Sequence, residues 1–251
     1  MTYVRLSKAN VEIPVYDSHS LRLIKLPSFR RSKVGTQTIT RAGGVMRMHA
    51  LKDLDLDLAE GDRVCIIGHN GAGKTTLLRL IAQIYSATSG VVDISGRVFA
   101  LLGASLTLNP DATGYENISL VAAIQDWPAE CVPDYVRNIE EFTELGEYLS
   151  LPTRVYSAGM LMRLAVALAT LRAPDILLID EGIGAGDADF QRKMQARVQQ
   201  FVGRAKILLL ASHSRELCRA LCNKALLLSK GRAVYFGGVE EGFAEYGKLS
   251  H

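Results

Sequence analysis

The chain has 251 residues, of which 48% are hydrophobic, enough to bury the core of one large α/β domain with or without a subdomain. A net charge of +3 is too small to indicate nucleic-acid binding. No apolar run approaches the ~18 residues that span a bilayer, and no secretory signal opens the chain, so we expect a soluble or peripheral protein made in the cytosol.

The N-terminal region has β-type alternation at residues 3–6 and 11–16, and an unusually basic segment follows it. Between Ser18 and Lys52 there are eight basic residues and no acidic one, with apolar residues interspersed. The basic insertion, roughly residues 18–47, is either a solvated loop or a surface that contacts anionic lipid headgroups or a membrane partner. Nucleic acid is the weaker alternative because residues that could stack on bases are nearly absent here.

A strictly alternating strand is predicted at residues 51–58 and a short apolar strand at residues 64–67. Residues 68–75 then fit the phosphate-loop pattern G-x-x-x-x-G-K-[ST], and a buried helix is predicted directly after them. The glycines let backbone N–H groups face phosphates, the lysine reaches the β- and γ-phosphates, and the threonine hydroxyl binds Mg²⁺. A glycine turn with a surface lysine is the alternative, but the flanking elements favour nucleotide binding. The predicted nucleotide-binding residues are Gly68, Asn70, Gly71, Ala72, Gly73, Lys74, Thr75 and Thr76, of which Thr75 also binds the metal.

Residues 91–94 and 97–102 flank Ser95-Gly96, which predicts a β-hairpin. Residues 103–155 show helical spacing, at 115–123 and 133–145, and no strong strand pattern. We therefore predict one domain, residues 1–251, in which a helical subdomain (roughly 103–155) is inserted in an α/β core (roughly 1–102 and 156–251).

After the insert, strands and helices alternate, which predicts a largely parallel sheet covered by helices. Helices are predicted at 160–171, 188–202, 214–221 and 239–248, and strands at 176–179, 206–211, 225–228 and 233–236. Cys218 and Cys222 share a helix face, but a metal site there would lack further ligands, so ordinary packing of reduced thiols is favoured.

Asp180 and Glu181 follow a buried strand, at the end of a parallel strand where ligands bind. Buried adjacent carboxylates need a cation or a proton, and nucleotide-bound Mg²⁺ would meet that need, with Asp180 on the metal side. Glu181 would then orient and deprotonate the water that attacks the γ-phosphate. A helix-capping acid is the alternative interpretation. His213 also follows a strand and is predicted near the γ-phosphate, although an isolated histidine is more often structural.

The motifs resemble those of ABC-type ATPase subunits, in the same order and over nearly the whole chain; they are residues 68–75, 156–160, 176–181, 186–187 and His213. Ser157-Ala158-Gly159 is similar to the signature loop of that family, which usually reads Leu-Ser-Gly-Gly-Gln. The departures from that signature are similar to the branch that serves bacterial exporters of O-antigen, capsule or teichoic acid. Residues 113–118, residues 180–191 and the basic insertion before Leu51 also resemble this branch.

The resemblance implies a P-loop NTPase of the ABC type, with a parallel core sheet, an antiparallel β subdomain and a helical subdomain. It also implies a head-to-tail homodimer, in which ATP and Mg²⁺ lie between residues 68–75 of one chain and Ser157, Ala158 and Gly159 of the other. The helix N-terminus after Ser157 agrees with this, because it forms a second anion-binding concavity. Asp187 would couple the two sites, and His213 would contact the γ-phosphate bound by its own chain.

Two features of the family are altered or unassigned here. The family normally has a glutamine near the start of the helical insert, but no glutamine lies between Gln83 and Gln125. The aromatic residue that stacks on adenine usually follows the first strand; Tyr16 is the predicted residue, and Tyr3 and His49 are weaker candidates.

The implied function is ATP hydrolysis that drives export of a lipid-linked, O-antigen-like polysaccharide through a separate integral membrane permease. The chain would be peripheral at the cytoplasmic face of the cytoplasmic membrane, with no nucleic-acid partner. Because the chain ends near its last core helix, we expect no appended carbohydrate-binding domain and no recognition of the glycan end by this chain. The alternatives are an exporter ATPase for a drug, lipid or peptide, a soluble relative working on DNA or ribosomes, and a nucleotide switch without turnover.

Overall fold

The computed structural model describes residues 1–15, 33–34, 37–42, 45–101, 108–180 and 188–249. The chain divides into two compact units. The sheet unit comprises Met1–Leu102, Pro174–Glu181 and Lys206–His251, and the helical unit comprises Gly103–Ala173 and Gly182–Ala205. The predicted helical subdomain, residues 103–155, falls within the helical unit, whereas the basic insertion, residues 18–47, lies mostly outside the described residues.

The strands of the described residues are β1 (Tyr3–Val15), β2 (Lys33–Val34), β3 (Gln37–Ala42), β4 (Val45–Ala59), β5 (Arg63–Ile67), β6 (Ser89–Ser95), β7 (Val98–Leu101), β8 (Ile176–Ile179), β9 (Ile207–Ala211), β10 (Lys224–Ser229) and β11 (Arg232–Gly237). The α-helices are α1 (Lys74–Ile81), α2 (Gly114–Ile124), α3 (Val132–Thr143), α4 (Ala158–Thr170), α5 (Ala188–Arg204), α6 (Arg215–Leu221) and α7 (Val239–Leu249).

These strands form two sheets. The first is antiparallel, with the strand order β2-β3-β4-β1-β6. The second has the order β11-β10-β5-β9-β8-β7, and all of its pairs are parallel except β10–β11. The predicted combination of a parallel core sheet, an antiparallel sheet and a helical part is confirmed.

The alternation predicted for residues 51–58 is confirmed over residues 54–58 of the longer strand β4 but is wrong at residues 51–53. Leu51 and Leu54 are both buried although they lie three positions apart, and Asp53 between them has a φ of 44°. Leu54, Leu56 and Leu58 are buried, whereas the aspartates between them are exposed, because successive side chains of a strand face opposite sides. Leu56 lies opposite Leu6 of β1. The two predicted N-terminal pieces are one strand, β1, whose register shifts around Ala9.

The hairpin predicted around Ser95-Gly96 is wrong. β6 pairs with β1 in the antiparallel sheet, whereas β7 pairs with β8 in the other sheet. The Arg97 backbone N–H donates a 2.9 Å hydrogen bond to the Asp175 carboxylate, and the Asp175 N–H donates at 3.1 Å to the Arg97 carbonyl oxygen. Because Asp175 stands just before β8, these bonds direct the chain into the second sheet instead of back along β6.

The parallel sheet gives the sheet unit its central layer. Every residue of β8 and β9 is buried, as expected of parallel strands covered on both faces. Full burial of one leucine in such a strand contributes about 1.5–3 kcal/mol. The carboxyl ends of β5, β8 and β9 lie at one edge of this sheet, which places Gly68, Asp180 and Ser212 at that same edge.

The helical unit has its own apolar core, and the helices predicted at 115–123, 133–145 and 160–171 are confirmed. Ile118, Ile139 and Leu149 are among its fully buried residues. Thr113 begins α2 with a capping box: its hydroxyl accepts from the Glu116 N–H at 3.1 Å, and the Glu116 carboxylate accepts from the Thr113 N–H at 2.7 Å. Within the described residues, no helix has both the length and the apolarity needed to cross a membrane.

Candidate functional site

The phosphate loop lies between β5 and α1, as the sequence predicts. Gly73 precedes α1 with a φ of 113°, a conformation that favours glycine, and a Cβ there would lie 2.9 Å from the Ala50 carbonyl oxygen. A Cβ on Gly68 would overlap the Leu228 carbonyl oxygen. Both glycines are therefore required by the backbone around the loop, and Ala72 between them is fully buried.

Backbone hydrogen bonds connect the phosphate loop to the turn between β10 and β11, and that turn to strand β4. The Gly231 N–H donates a 2.9 Å hydrogen bond to the Ala72 carbonyl oxygen, and the Gly231 carbonyl accepts a 2.8 Å bond from the Lys52 N–H. The turn between β10 and β11 thus joins the loop to strand β4. Burial and, secondly, Arg232 lower the pKa of the Lys52 side chain.

Lys74 is the first residue of α1, and its ammonium group lies in the curve of the loop. Its Nζ donates to the Gly68 carbonyl oxygen at 2.6 Å and to the His69 carbonyl oxygen at 3.3 Å. The same Nζ lies 3.3 Å from His213 Nε2. A positively charged side chain at the N-terminus of a helix suits a phosphate group.

The predicted metal residues meet at the same edge of the sheet. Thr75 Oγ1 donates a 2.8 Å hydrogen bond to Asp180 Oδ2, across 105 positions of sequence. Asp180 is held at the end of β8 by its N–H, which donates a 2.9 Å bond to the Leu101 carbonyl oxygen. A hydroxyl and a carboxylate are the hard oxygen ligands that Mg²⁺ prefers, so this pair fits that ion.

His213 follows β9 and precedes α6. Ser214 caps α6 by accepting a 3.2 Å hydrogen bond from the Leu217 N–H, and the Ser214 N–H donates at 3.1 Å to Ser212 Oγ. This capped turn fixes the backbone on the C-terminal side of His213. The 3.3 Å distance from Lys74 Nζ places His213 beside the phosphate loop, and its contact with a γ-phosphate stays a prediction.

An open cavity of about 460 Å³ lies beside these groups. It is lined by His69 and Asn70 of the loop, by His213, and by Tyr246 of α7. The sequence assigned no role to His69 or Tyr246. Tyr246 belongs to no local motif and lies 172 positions after Lys74, so no pattern in the sequence indicates it.

The predicted signature residues form a helix N-terminus in the helical unit. Ser157 begins α4, and its hydroxyl accepts a 3.2 Å hydrogen bond from the Met160 N–H. Ser157, Ala158 and Gly159 are all exposed. Tyr156 before them is buried and donates a 2.6 Å hydrogen bond to the Tyr148 carbonyl oxygen. Burial raises the pKa of Tyr156, a structural residue that directly precedes the exposed turn.

Three predicted site residues, Tyr16, Glu181 and Asp187, lie outside the described residues, so their roles stay predictions. The two weaker candidates for adenine stacking are described. Tyr3 pairs with Ala59, at the end of β4 that is remote from the phosphate loop. His49 directly precedes Ala50, whose carbonyl oxygen lies next to Gly73 of the loop. His49 Nδ1 lies 3.3 Å from a Glu12 carboxylate oxygen.

The cysteine side chains of the sheet unit pack in an apolar cluster, which is the ordinary packing that the sequence analysis favoured. Cys65 and Cys218 are fully buried, and Cys222 packs against the same apolar cluster. In the described part of the chain, no group of three or more histidine, cysteine or acidic side chains is arranged to hold a metal ion. Thr75 and Asp180 would instead share a metal with a bound phosphate.

Comparisons with known proteins identify the family of the chain. The model of the ABC transporter family matches residues 51–184. Over 235 residues, the chain is 40% identical to the O-antigen export system ATP-binding protein RfbE of Yersinia enterocolitica, which covers 92% of this chain and 96% of that protein.

Two further relatives are longer than this chain. The O-antigen export system ATP-binding protein RfbB of Myxococcus xanthus is 40% identical over 78% of this chain and 45% of its own length. The teichoic acids export ATP-binding protein TagH of Bacillus anthracis is 35% identical over 77% of this chain and 35% of its own length. The chain thus matches less than half of each of these two proteins.

Solved structures share the fold. An ATP-binding subunit of an ABC transporter superposes with a TM-score of 0.66 at 19% identity, covering 97% of this chain and 93% of that one. A dimeric, post-hydrolysis ATP-binding cassette, MJ0796 bound to ADP and Pi, has a TM-score of 0.63 at 20% identity, covering 94% of this chain and 98% of that one.

Proposed function

Because the chain belongs to the ABC transporter family, as an ABC-type ATPase subunit, we propose that it drives export of a lipid-linked polysaccharide through a separate membrane permease. The assignment of a polysaccharide as the cargo rests on one observation. The chain is 40% identical to an O-antigen export ATP-binding protein over nearly the full length of both chains. The chain would then act peripherally at the cytoplasmic face of the membrane.

The residues of the loop would hold ATP through backbone N–H groups and Lys74, whose Nζ already lies among the loop carbonyls. Thr75 and Asp180 would hold Mg²⁺, which when bound neutralises phosphate charge. Glu181, one residue after Asp180, would orient and deprotonate the attacking water. His213, 3.3 Å from Lys74 Nζ, would contact the γ-phosphate.

A second copy of the chain would complete each site. Ser157, Ala158 and Gly159 are exposed at the start of α4, so their N–H groups and the helix dipole can receive an anion from another chain. Asp187 would couple the two sites of such a dimer. Binding of ATP between the copies would hold them together, and its hydrolysis would release them.

The permease would dock on the helical unit. Large apolar side chains are exposed there, and Ile124 at the end of α2 is 79% accessible. Covering such apolar side chains with a protein partner would remove apolar surface from water, which is favourable. The others in the described part of this unit are Tyr115, Leu120, Tyr148, Leu151 and Val155.

The decisive experiment compares ATP turnover by the wild type and Glu181→Gln, each reconstituted with the co-expressed permease. We expect Glu181→Gln to bind ATP normally and to lose at least about 100-fold in turnover, because it lacks the general base. Glu147→Gln, an exposed glutamate of the helical unit, is the matched control and should keep full turnover. Equal, negligible rates in wild type and Glu181→Gln would instead indicate a nucleotide switch.

The cargo is tested with the same complex. A lipid-linked polysaccharide from the source cell should stimulate turnover, whereas a phospholipid, a peptide or a hydrophobic drug should not. Stimulation by one of these other compounds alone would assign the exporter to that cargo and refute the polysaccharide proposal.

A further inference from the structure

The last helix, α7, reaches the cavity at the phosphate loop. Tyr246 lines this cavity together with His69, Asn70 and His213. The cavity therefore has walls from three parts of the chain: the loop after β5, the turn after β9, and a helix that none of the phosphate-binding motifs includes.

Helix α7 packs closely against strands β5 and β10, and this packing places Tyr246 at the cavity. Gly242 is buried, and a Cβ on it would lie 2.6 Å from Ala225 Cβ and 3.3 Å from Ile67 Cδ1. Ile67 is the last residue of β5, directly before the phosphate loop. Tyr246 follows Gly242 by one helical turn and so lies on the same face of α7. That face continues past the end of β5, where the cavity opens.

Helix α7 is also tied to the turn that carries His213. Glu240 accepts hydrogen bonds from Arg215 at 3.0 Å and from Arg219 at 2.6 Å, both on α6. The Arg215 guanidinium lies 5.3 Å from the centre of the Phe243 ring. Helix α6 begins directly after His213 and Ser214. These contacts therefore fix the position of α7, which carries Tyr246, relative to the turn that carries His213.

We propose that Tyr246 is a specificity-determining residue, which makes α7 part of the recognition of the terminal phosphate. Lys74 Nζ and His213 Nε2, 3.3 Å apart, mark the end of the loop where the outermost phosphate of a nucleoside triphosphate would lie. A phenol hydroxyl can donate a hydrogen bond to an anionic oxygen there. A diphosphate lacks the outermost phosphate and would make no such hydrogen bond, so we expect Tyr246 to favour ATP over ADP. The inference rests on the ATP site of the proposed function.

The test measures dissociation constants of the purified full chain for ADP and for the non-hydrolysable analogue β,γ-imido-ATP, with Mg²⁺ present. Tyr246→Phe keeps the ring and removes the hydroxyl. We expect its affinity for the analogue to fall roughly ten-fold, the usual effect of losing a hydrogen bond to a charged group, with ADP affinity unchanged within about two-fold. Tyr246→His, which retains an N–H donor, should recover part of the loss.

The controls distinguish a failure of the role proposed for Tyr246 from a failure of the proposed ATP site. Tyr135→Phe, at a tyrosine of the helical unit whose ring packs against Trp127, should leave both affinities unchanged. If Tyr246→Phe weakens ADP and the analogue equally, or weakens neither, the proposed role of Tyr246 is refuted. If instead the wild type binds neither nucleotide, or Lys74→Ala leaves both affinities intact, the ATP site of the proposed function fails.

Discussion

The Thr75 hydroxyl donates a 2.8 Å hydrogen bond to the Asp180 carboxylate, which joins the phosphate loop to the end of strand β8. Neither residue is adjacent to the other in sequence; the order β5-β9-β8 in the parallel sheet brings their strand ends to one edge. This hydrogen bond joins the phosphate loop to the carboxylate that we propose as a metal ligand.

We predict that Asp180→Asn uncouples nucleotide binding from metal binding. The amide keeps the shape of the carboxylate but loses the charge that a divalent cation requires. Turnover should fall by at least about 100-fold, and the Mg²⁺ dependence of ATP affinity should disappear, while ATP binding in EDTA is retained. Nucleotide titrations with and without Mg²⁺ measure this. Asp134→Asn, at an exposed helix position, is the control, and a normal Mg²⁺ response in Asp180→Asn would contradict the assignment.

We predict that Gly73→Ala damages the phosphate loop more than the fold. A Cβ at this residue would lie 2.9 Å from the Ala50 oxygen and 3.0 Å from Leu51 Cδ2, at a φ of 113°. The loop must shift to relieve both contacts, so ATP affinity should fall at least about ten-fold, with a cost in stability of about 1–3 kcal/mol.

The matched control for that glycine is Gly203→Ala in α5. Gly203 is exposed, and a Cβ there meets nothing within 4 Å. The change should leave ATP affinity intact and raise stability by about 0.5–1 kcal/mol, because alanine is the better helix former. Urea unfolding and nucleotide titration of both variants test the pair; equal ATP affinities would argue against the loop geometry.

We predict that two substitutions of Ser157 separate its capping role from its proposed role in the dimer. Ser157→Ala removes the acceptor of the Met160 N–H and should cost about 1 kcal/mol of stability. Ser157→Asp keeps a good cap but places a negative charge where the phosphates of ATP bound to a second chain would lie. We expect near wild-type stability for Ser157→Asp, together with loss of ATP-dependent dimerisation in gel filtration or light scattering. A Ser157→Asp protein that still dimerises with ATP would refute the shared site.

We predict a pH-dependent contribution from Glu240. Its pKa is lowered from 4.5 to about 2, mainly by the hydrogen bond from Arg219 and further by that from Arg215. A carboxylate whose pKa is lower in the folded state stabilises it fully above the unfolded pKa, and this stabilisation is lost as the pH falls through the folded pKa. Glu240→Gln should therefore melt below the wild type at pH 7, and the difference should shrink as the pH falls from about 4.5 towards 2.

Thermal unfolding at several pH values provides this measurement. Glu130→Gln, an exposed glutamate in the helical unit, is the control and should show a smaller difference at pH 7. Because the Glu240 pairs are exposed to solvent, added salt should also reduce the difference between wild type and Glu240→Gln. A difference that is the same at every pH would contradict the linkage.

Local patterns in the sequence predict most of the elements and the family. The alternation of residues 54–58 and the apolar run 176–179 predict which side chains are buried, since burial of apolar area dominates the energy of those strands. The phosphate loop is recognisable because its chemistry requires particular residues at consecutive positions. The comparisons confirm the predicted family and the predicted type, an ATPase subunit of polysaccharide export systems.

The hairpin at Ser95-Gly96 shows where local patterns fail. Two strands separated by a short turn usually pair, but the partners of β6 and β7 come from β1 and β8 instead. The deciding contact is between Arg97 and Asp175, which lie 78 positions apart. The residues of the turn itself do not indicate a contact with such a distant segment.

The sequence by itself therefore determined the phosphate loop, the carboxylate after β8, the histidine after β9 and the signature serine, because each is specified by its immediate neighbours. Tertiary structure alone decided that Thr75 meets Asp180, that His213 lies 3.3 Å from Lys74, and that Tyr246 joins them at one cavity. The physical reason is that strand order and helix packing depend on contacts between distant segments. Gly242 against Ile67 is one such contact, and it carries α7 to the phosphate loop.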